Sequence, residues 1–277
     1  MSSKIFVVTH KQAKMPGIEG YNSILVGAKK NRSDYQFDYY DDIGDNISEK
    51  NKSYCELTGM YWVWKNIDVS IVGLCHYRRY FIRRGFALNE RNLPTMSYIE
   101  SLFENIDVVL PKPRILSKNV LLSVNYAPNI NDMVEIRQAI EELYPDYMDD
   151  YKSYLGQNKT FLYNMFIMKK ILFNRYCEWI YSILDYIEKN HDIDKETDDY
   201  RKRLFGFLSE RLIYVWVVHN VPMKKVYEMR VINSEEKSVD GIRHEIRNMM
   251  NGLIYTVRRP FLKYEYKAKL DYIFKNE

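Results

Sequence analysis

The sequence predicts an α/β protein built on a mixed, mostly parallel sheet flanked by helices, with a basic helical tail. Three observations lead there. Short apolar blocks rich in β-branched residues recur along the chain and are too brief for helices, so they read as buried strands. Stretches with apolar residues three and four apart separate them and read as amphipathic helices, and this alternation is the pattern of a layered α/β domain. The chain has 277 residues and is 46% hydrophobic, enough to bury a substantial core and to exclude global disorder.

Lys4 to Thr9, KIFVVT, is the first strand, with His10 and Lys11 at its carboxyl end. Ile24 to Ala28 is a second strand or a turn packed on the sheet, and Asn31 to Asn46 is polar, acidic and rich in turn residues. Ser48 and Ser53 are candidate N-caps, and Ser53 with Glu56 has the capping-box spacing. The helix that follows to Asn66 carries Tyr54, Leu57, Tyr61 and Trp64 on one face, and its tryptophans, Trp62 and Trp64, read as packing residues ahead of ligand stackers.

Ser70 to Cys75, SIVGLC, is the next strand and runs into His76-Tyr77-Arg78-Arg79-Tyr80. Ile82 to Pro94 is a polar loop, Thr95 to Asn105 a helix, and Asp107 to Pro111 a strand followed by Lys112-Pro113-Arg114. Residues 115–130 show no clean period. Asp132 to Tyr144 is helical, with Pro145 marking its end. Phe161 to Met168 reads as a strand interrupted by Asn164, and Ile171 to Lys189 as a long amphipathic helix. Ser209, after a segment containing Gly206, is expected to cap a helix running through Glu210, Arg211, Leu212 and Trp216, and Val226 to Ile232 is the last strand.

A boundary near residue 235 divides an α/β domain, 1–235, from a basic amphipathic tail, 236–277. From Gly241 onward eight Lys and Arg face four acids, so the whole net charge of +4 resides in residues 241–277. Ile242, Ile246, Met249, Met250, Leu253, Ile254 and Val257 recur there at helical spacing, which suits either a helix lying on an anionic membrane surface or one packed on its own domain. A nucleic-acid partner would rest on this tail alone and is not expected. The three cysteines, Cys55, Cys75 and Cys177, are odd in number and far apart, which gives neither a disulfide framework nor a zinc site and points to a reducing, cytoplasmic setting. No run approaches the ~18 apolar residues of a membrane span, so the protein is expected to be soluble or peripheral at the inner face of the membrane.

Three strand ends carry basic or imidazole groups: His10 and Lys11; His76, Tyr77, Arg78 and Arg79; and Lys112 with Arg114. Ligands of open α/β sheets bind beyond the carboxyl ends of strands, so these groups are candidates to hold a phosphate or diphosphate by charge-assisted hydrogen bonds. The alternative is a set of solvated strand termini. No GxxxxGK[ST] or GxGxxG phosphate loop, HExxH pair or GxSxG elbow occurs. Asp192 with Asp194 and Asp42 with Asp45 are weak candidates for a metal site, since loop acids are usually solvated. Glu210, expected in the first turn of its helix, is either stabilised there by the helix dipole or a general base toward a sugar hydroxyl. Asn164 either pairs with neighbouring backbone or faces ligand.

The segments Tyr54 to Asn66, YCELTGMYWVWKN, and Val72 to Phe81, VGLCHYRRYF, resemble a bacterial family of glycosyltransferases found in capsule, exopolysaccharide and lipopolysaccharide loci and largely described as a domain of unknown function. The likeness extends through VVTHK, DNIS, YNMFIM and GFLSERL, over roughly residues 4 to 220. It implies a GT-A-like, Rossmann-like fold and transfer of a sugar from a nucleotide-sugar donor to a polysaccharide or lipid-linked oligosaccharide acceptor. Some relatives are associated with galactose or galactofuranose, which suggests a UDP-linked donor. GT-A enzymes usually end the corresponding strand in Asp-x-Asp, which holds a divalent metal; here that strand ends in His76-Tyr77-Arg78-Arg79. The resemblance therefore implies that His76, Arg78 and Arg79 replace the metal on the diphosphate, with His10, Lys11, Tyr77, Lys112, Asn164 and Arg211 binding the donor. No metal is expected, although a requirement for Mn²⁺ or Mg²⁺ stays open. GFLSERL resembles the acidic helix start of inverting GT-A enzymes, which implies Glu210 as the base.

Overall fold

The computed structural model describes residues 2–86, 88–124, 128–190 and 196–274. In chain order the strands are β1 (Ser3–Thr9), β2 (Tyr21–Leu25), β3 (Tyr39–Tyr40), β4 (Ile71–His76), β5 (Arg79–Ile82), β6 (Val108–Pro111), β7 (Arg114–Ile115), β8 (Lys159–Thr160), β9 (Phe166–Lys169) and β10 (Val226–Asn233). The helices are α1 (Ala28–Asn31), α2 (Asn51–Tyr54), α3 (Leu57–Asn66), α4 (Met96–Leu102), α5 (Ile130–Leu143), α6 (Met148–Gly156), α7 (Lys170–Asn190), α8 (Leu204–Asn220) and α9 (Ser238–Phe274). The chain forms two compact units, the first from residues 1–112, 163–178 and 221–242, the second from 113–162, 179–220 and 243–277.

The first unit holds the eight-stranded sheet. β3, β2, β1 and β4 lie side by side in parallel. β9 runs antiparallel between β4 and β6, so β6 points the same way as β4. β10 continues parallel to β6 and then pairs antiparallel with β5. Among the described strands of this sheet only β5 and β9 are reversed, which is the mixed, mostly parallel arrangement expected. Burial explains the continuous apolar strands: Ile5, Phe6, Val7, Ile71, Val72, Leu74, Val108, Val109, Phe166 and Ile167 are all buried, as strands covered on both faces require. At Gly73 the packing is so close that an added Cβ would lie 2.8 Å from Ile5 Cγ1 and 3.3 Å from Ile167 Cγ1.

Four local expectations are corrected. Ser53 does not cap a helix with Glu56: it lies inside α2 and donates to the Lys50 carbonyl at 3.2 Å. The break falls instead at Cys55, whose positive φ of 52° ends α2 and lets α3 start afresh. Asn164 is not within a strand. It and Tyr163 hold positive φ angles of 48° and 81°, forming a left-handed turn that delivers the chain into β9, a conformation Asn tolerates better than most residues. Ile24 to Ala28 divides into the end of β2 and the start of α1, where the buried Asp41 carboxylate accepts from the Gly27 and Ala28 amides.

The fourth correction lies in the second unit. Ser209 caps nothing, because α8 begins five residues earlier at Leu204 and carries no acid in its first turn. Leu204, Phe205, Leu208, Leu212 and Trp216 all bury on one side, and that burial outweighs the modest helix penalty of Gly206. Glu210 is therefore a mid-helix residue, beyond the reach of the dipole at the first turn. This unit also contains the β7–β8 pair and α5, α6 and the later part of α7. Asn129 and Asp132 form a capping box on α5, and Arg201 locks Asp132 with bonds of 2.6 and 3.1 Å. α9 runs 37 residues through Pro260. Among the described residues no helix is long and apolar enough to cross a membrane.

Candidate functional site

Because β1, β4 and β6 run the same way, their carboxyl ends face one edge of the sheet, and Lys11, the His76 to Arg79 segment and Lys112 all follow those ends. His76 pairs with Arg79 across a two-residue tip, Tyr77-Arg78, so the strand expected to stop at a basic terminus turns back as a hairpin. The tip is held from two sides. The Tyr77 amide donates to the Val8 carbonyl of β1 at 3.0 Å, and the Ser234 amide donates to the Arg78 carbonyl at 2.7 Å. Arg78 is thus presented from backbone that is fixed at both ends, the preorganisation that electrostatic binding of an anion needs.

Around the tip the side chains form two groups. In one, the Tyr77 ring takes the His10 ring edge-on at 5.5 Å, with the Lys11 ammonium at 5.6 Å and the Arg78 guanidinium at 5.0 Å from its centroid. Arg78 also reaches Glu235 at 3.1 Å. A cleft of about 540 Å³ opens here, lined by Lys11, Lys14, Met15, Tyr77, Arg78 and Glu235 among others. In the second group His76 Nε2 lies 2.5 Å from the Tyr163 carbonyl oxygen, and Arg79 stacks 4.3 Å over the Tyr163 ring. The Asn164 amide donates to Glu56 Oε1 at 2.6 Å.

Burial lowers the His76 pKa, outweighing the Glu56 carboxylate and the Tyr163 carbonyl, which act in the opposite sense; Arg79 and Arg78 add to the lowering. His76 is therefore neutral at pH 7. Since a carbonyl only accepts, Nε2 carries the proton and Nδ1 is left as the acceptor. The charge of the tip comes from its two guanidinium groups, while His76 anchors the hairpin to the turn before β9.

The donor set here does not fit a divalent cation. The imidazole commits Nε2 to Tyr163, and two guanidinium groups stand beside it, which would repel a metal ion. Among the described residues no group of three or more His, Cys, Asp and Glu side chains is placed to hold a metal ion. Asp42 instead forms a two-bond pair with Arg32, and Asp45 accepts from the Tyr61 hydroxyl. Asp192 and Asp194 lie outside the described residues.

Of the residues read from the sequence, the first unit gathers His10, Lys11, His76, Tyr77, Arg78, Arg79 and Asn164. Lys112 follows β6 at the same sheet edge, exposed, but does not line the cleft. Glu210 and Arg211 belong to the second unit, where Arg211 donates to Thr160 Oγ1 at 2.7 Å. Sequence reading missed Glu56, Tyr163, Lys14 and Glu235. Glu56 was hidden by its capping-box spacing, and nothing in the order of the chain announces that residues 56, 76 and 164 meet.

The chain matches the family described as Domain of unknown function (DUF4422) over residues 4–221, and it belongs to that family. It is similar to the solved apo structure of the WbbM bifunctional glycosyltransferase, with a TM-score of 0.76 and 28% identity over 85% of this chain. The chain spans 46% of the length of that relative. No curated protein matches it.

Proposed function

We propose that this member of the family is a glycosyltransferase that moves a sugar, galactose or galactofuranose, from a UDP-linked donor to a growing surface polysaccharide or a lipid-linked oligosaccharide. One observation carries the reading: Lys11, Arg78 and Arg79 gather at the carboxyl edge of a mostly parallel sheet, Lys11 and Arg78 lining a cleft of a size that suits a nucleotide. The likeness to a glycosyltransferase structure supports it.

In this reading the guanidinium groups of Arg78 and Arg79 take up the charge that grows on the departing nucleoside diphosphate, the work a metal does elsewhere. Tyr77 supplies a flat face beside them, and Lys11 and Lys14 raise the local potential that draws an anionic donor. A carboxylate must accept the proton of the acceptor hydroxyl as the new glycosidic bond forms. Glu210 is a candidate for this role from the likeness of GFLSERL in sequence alone, since it lies mid-helix and not at a helix start; Glu56 is the carboxylate that lies beside His76.

A thermal-shift panel of nucleotide sugars tests donor binding, because a ligand that binds only the native state raises its stability. Release of nucleoside diphosphate on addition of a lipid-linked acceptor then tests transfer. Donor binding without any release, across acceptors, would make the chain a non-catalytic nucleotide- or glycan-binding component of the assembly machinery. Glu210→Gln and Glu56→Gln, compared side by side, identify the base: the true one loses transfer and keeps donor binding. Activity that persists in EDTA supports metal independence, whereas loss restored by Mn²⁺ refutes it.

A further inference from the structure

We infer that the outward face of α9 docks on an anionic lipid surface. From Asn248 to Tyr255 the helix is amphipathic in an unusual sense: the side packed on its own unit is polar, and the side turned away is apolar. On the packed side, Asn248 Oδ1 accepts from the Ile115 amide at 3.1 Å, the Asn251 amide donates to the Ile115 carbonyl at 2.9 Å, and the Tyr255 hydroxyl reaches the Gly156 carbonyl at 3.3 Å. Near the end of the helix Ile273 is fully buried. These contacts fix which way the helix faces.

On the other side Met249, Leu253, Val257, Phe261 and Tyr264 are between 69% and 85% exposed. At 3.6 residues per turn these five fall within a sector of about 120°, opposite Asn248, Asn251 and Tyr255. With Ile246, half exposed, they make a stripe about 27 Å long at ~1.5 Å per residue. Single exposed apolar side chains need no explanation, but a continuous stripe of this length on a helix otherwise well anchored marks a binding surface.

Charge decides between occupants. Arg247 and Arg258 border the stripe on one side and Lys263 and Lys267 on the other, all exposed. From Arg247 to Lys267 five Lys and Arg stand against one acid, Glu265. A second copy of the chain would bring the same positive borders against themselves. An anionic lipid surface complements them, with the apolar side chains entering the headgroup boundary and the long basic side chains reaching to the phosphates. Since no described helix can span a bilayer, the contact is one of lying on the surface.

The test is co-sedimentation of the full chain with vesicles of phosphatidylcholine containing phosphatidylglycerol, against vesicles of phosphatidylcholine alone. Binding is expected to the anionic vesicles and to fall with added salt. The variant Leu253→Asp, Val257→Asp, Phe261→Asp should lose it while keeping its circular dichroism and melting temperature, because all three side chains are exposed. Arg258→Ser with Lys263→Ser should weaken partition roughly thirtyfold, about fivefold for each charge removed. Equal binding to both vesicle types, or full binding by the triple aspartate variant, overturns the inference. So does a dimer in light scattering that the triple variant dissolves, since the face would then be covered by a second copy.

Discussion

Arg78→Ala separates the function of the hairpin tip from its stability. The Arg78 side chain pairs with Glu235 at 3.1 Å, with the two side chains 39% and 57% exposed, and lies 5.0 Å from the Tyr77 ring centroid. An exposed ion pair contributes about 0.2–1 kcal/mol and an exposed cation–π contact about 0.5–1 kcal/mol, so folding should lose no more than ~2 kcal/mol. The backbone carbonyl that receives Ser234 is untouched by the substitution. For a chain of this size the melting temperature should fall by no more than about 8 °C. Turnover should fall much further. Removing one preorganised donor to a developing negative charge costs about 2.7–4 kcal/mol, roughly a hundred- to a thousandfold in kcat. Arg78→Lys should lie between, because it keeps the charge and loses the planar fork. The assay is the initial rate of nucleoside diphosphate release, fitted for kcat and KM, beside a melting curve. Normal turnover in Arg78→Ala would refute the assignment, and a collapse of the melting temperature would show that the tip is structural.

Three further outcomes are expected. The folded-state pKa of His76 is lowered, so its contribution to stability is present above the ordinary imidazole value and is lost as pH falls through the lowered one. The melting temperature of the wild type should therefore drop more steeply between about pH 7 and pH 5 than that of His76→Gln; parallel curves would show that His76 is not the group responsible. Asn164→Ala should cost about 2–4 kcal/mol, from the lost bond to a charged Glu56 and the left-handed backbone that Ala resists, and much of that cost should vanish in a Glu56→Ala background. Additive effects in denaturant melts would mean that the two are not coupled. Gly73→Ala should destabilise by about 1–3 kcal/mol, because its new methyl meets Ile5 and Ile167 at the crossing of β1, β4 and β9; a neutral effect would contradict the packing.

The strands of the main sheet were legible because buried parallel strands must be apolar throughout, and KIFVVT, SIVGLC and DVVLP have no other comfortable environment. The long helix over Ile171 to Lys189 was legible for the equivalent reason, a repeating apolar face. Positions set by single backbone torsions were not. Cys55, Tyr163 and Asn164 adopt positive φ with no glycine to announce it, and these three residues place Glu56 and the turn that receives His76. Ser209 misled because a serine ahead of an acid resembles a cap, while the burial of Leu204 and Phe205 extends the helix behind it.

The sequence by itself determined the composition of the rim, basic and imidazole groups directly after apolar strands, and the net charge held within residues 241–277. Those are properties of local order, and local order is what periodicity and spacing report. The tertiary structure decided the rest. It turned His76 to Arg79 into a hairpin tip tied to β1 and to the residue after β10, joined Glu56 to Asn164 across more than a hundred residues of intervening chain beside His76, and faced the apolar stripe of α9 outward. Each of these depends on which surface packs against which. That choice is made by the free energy of the whole core, and no short window of sequence contains it.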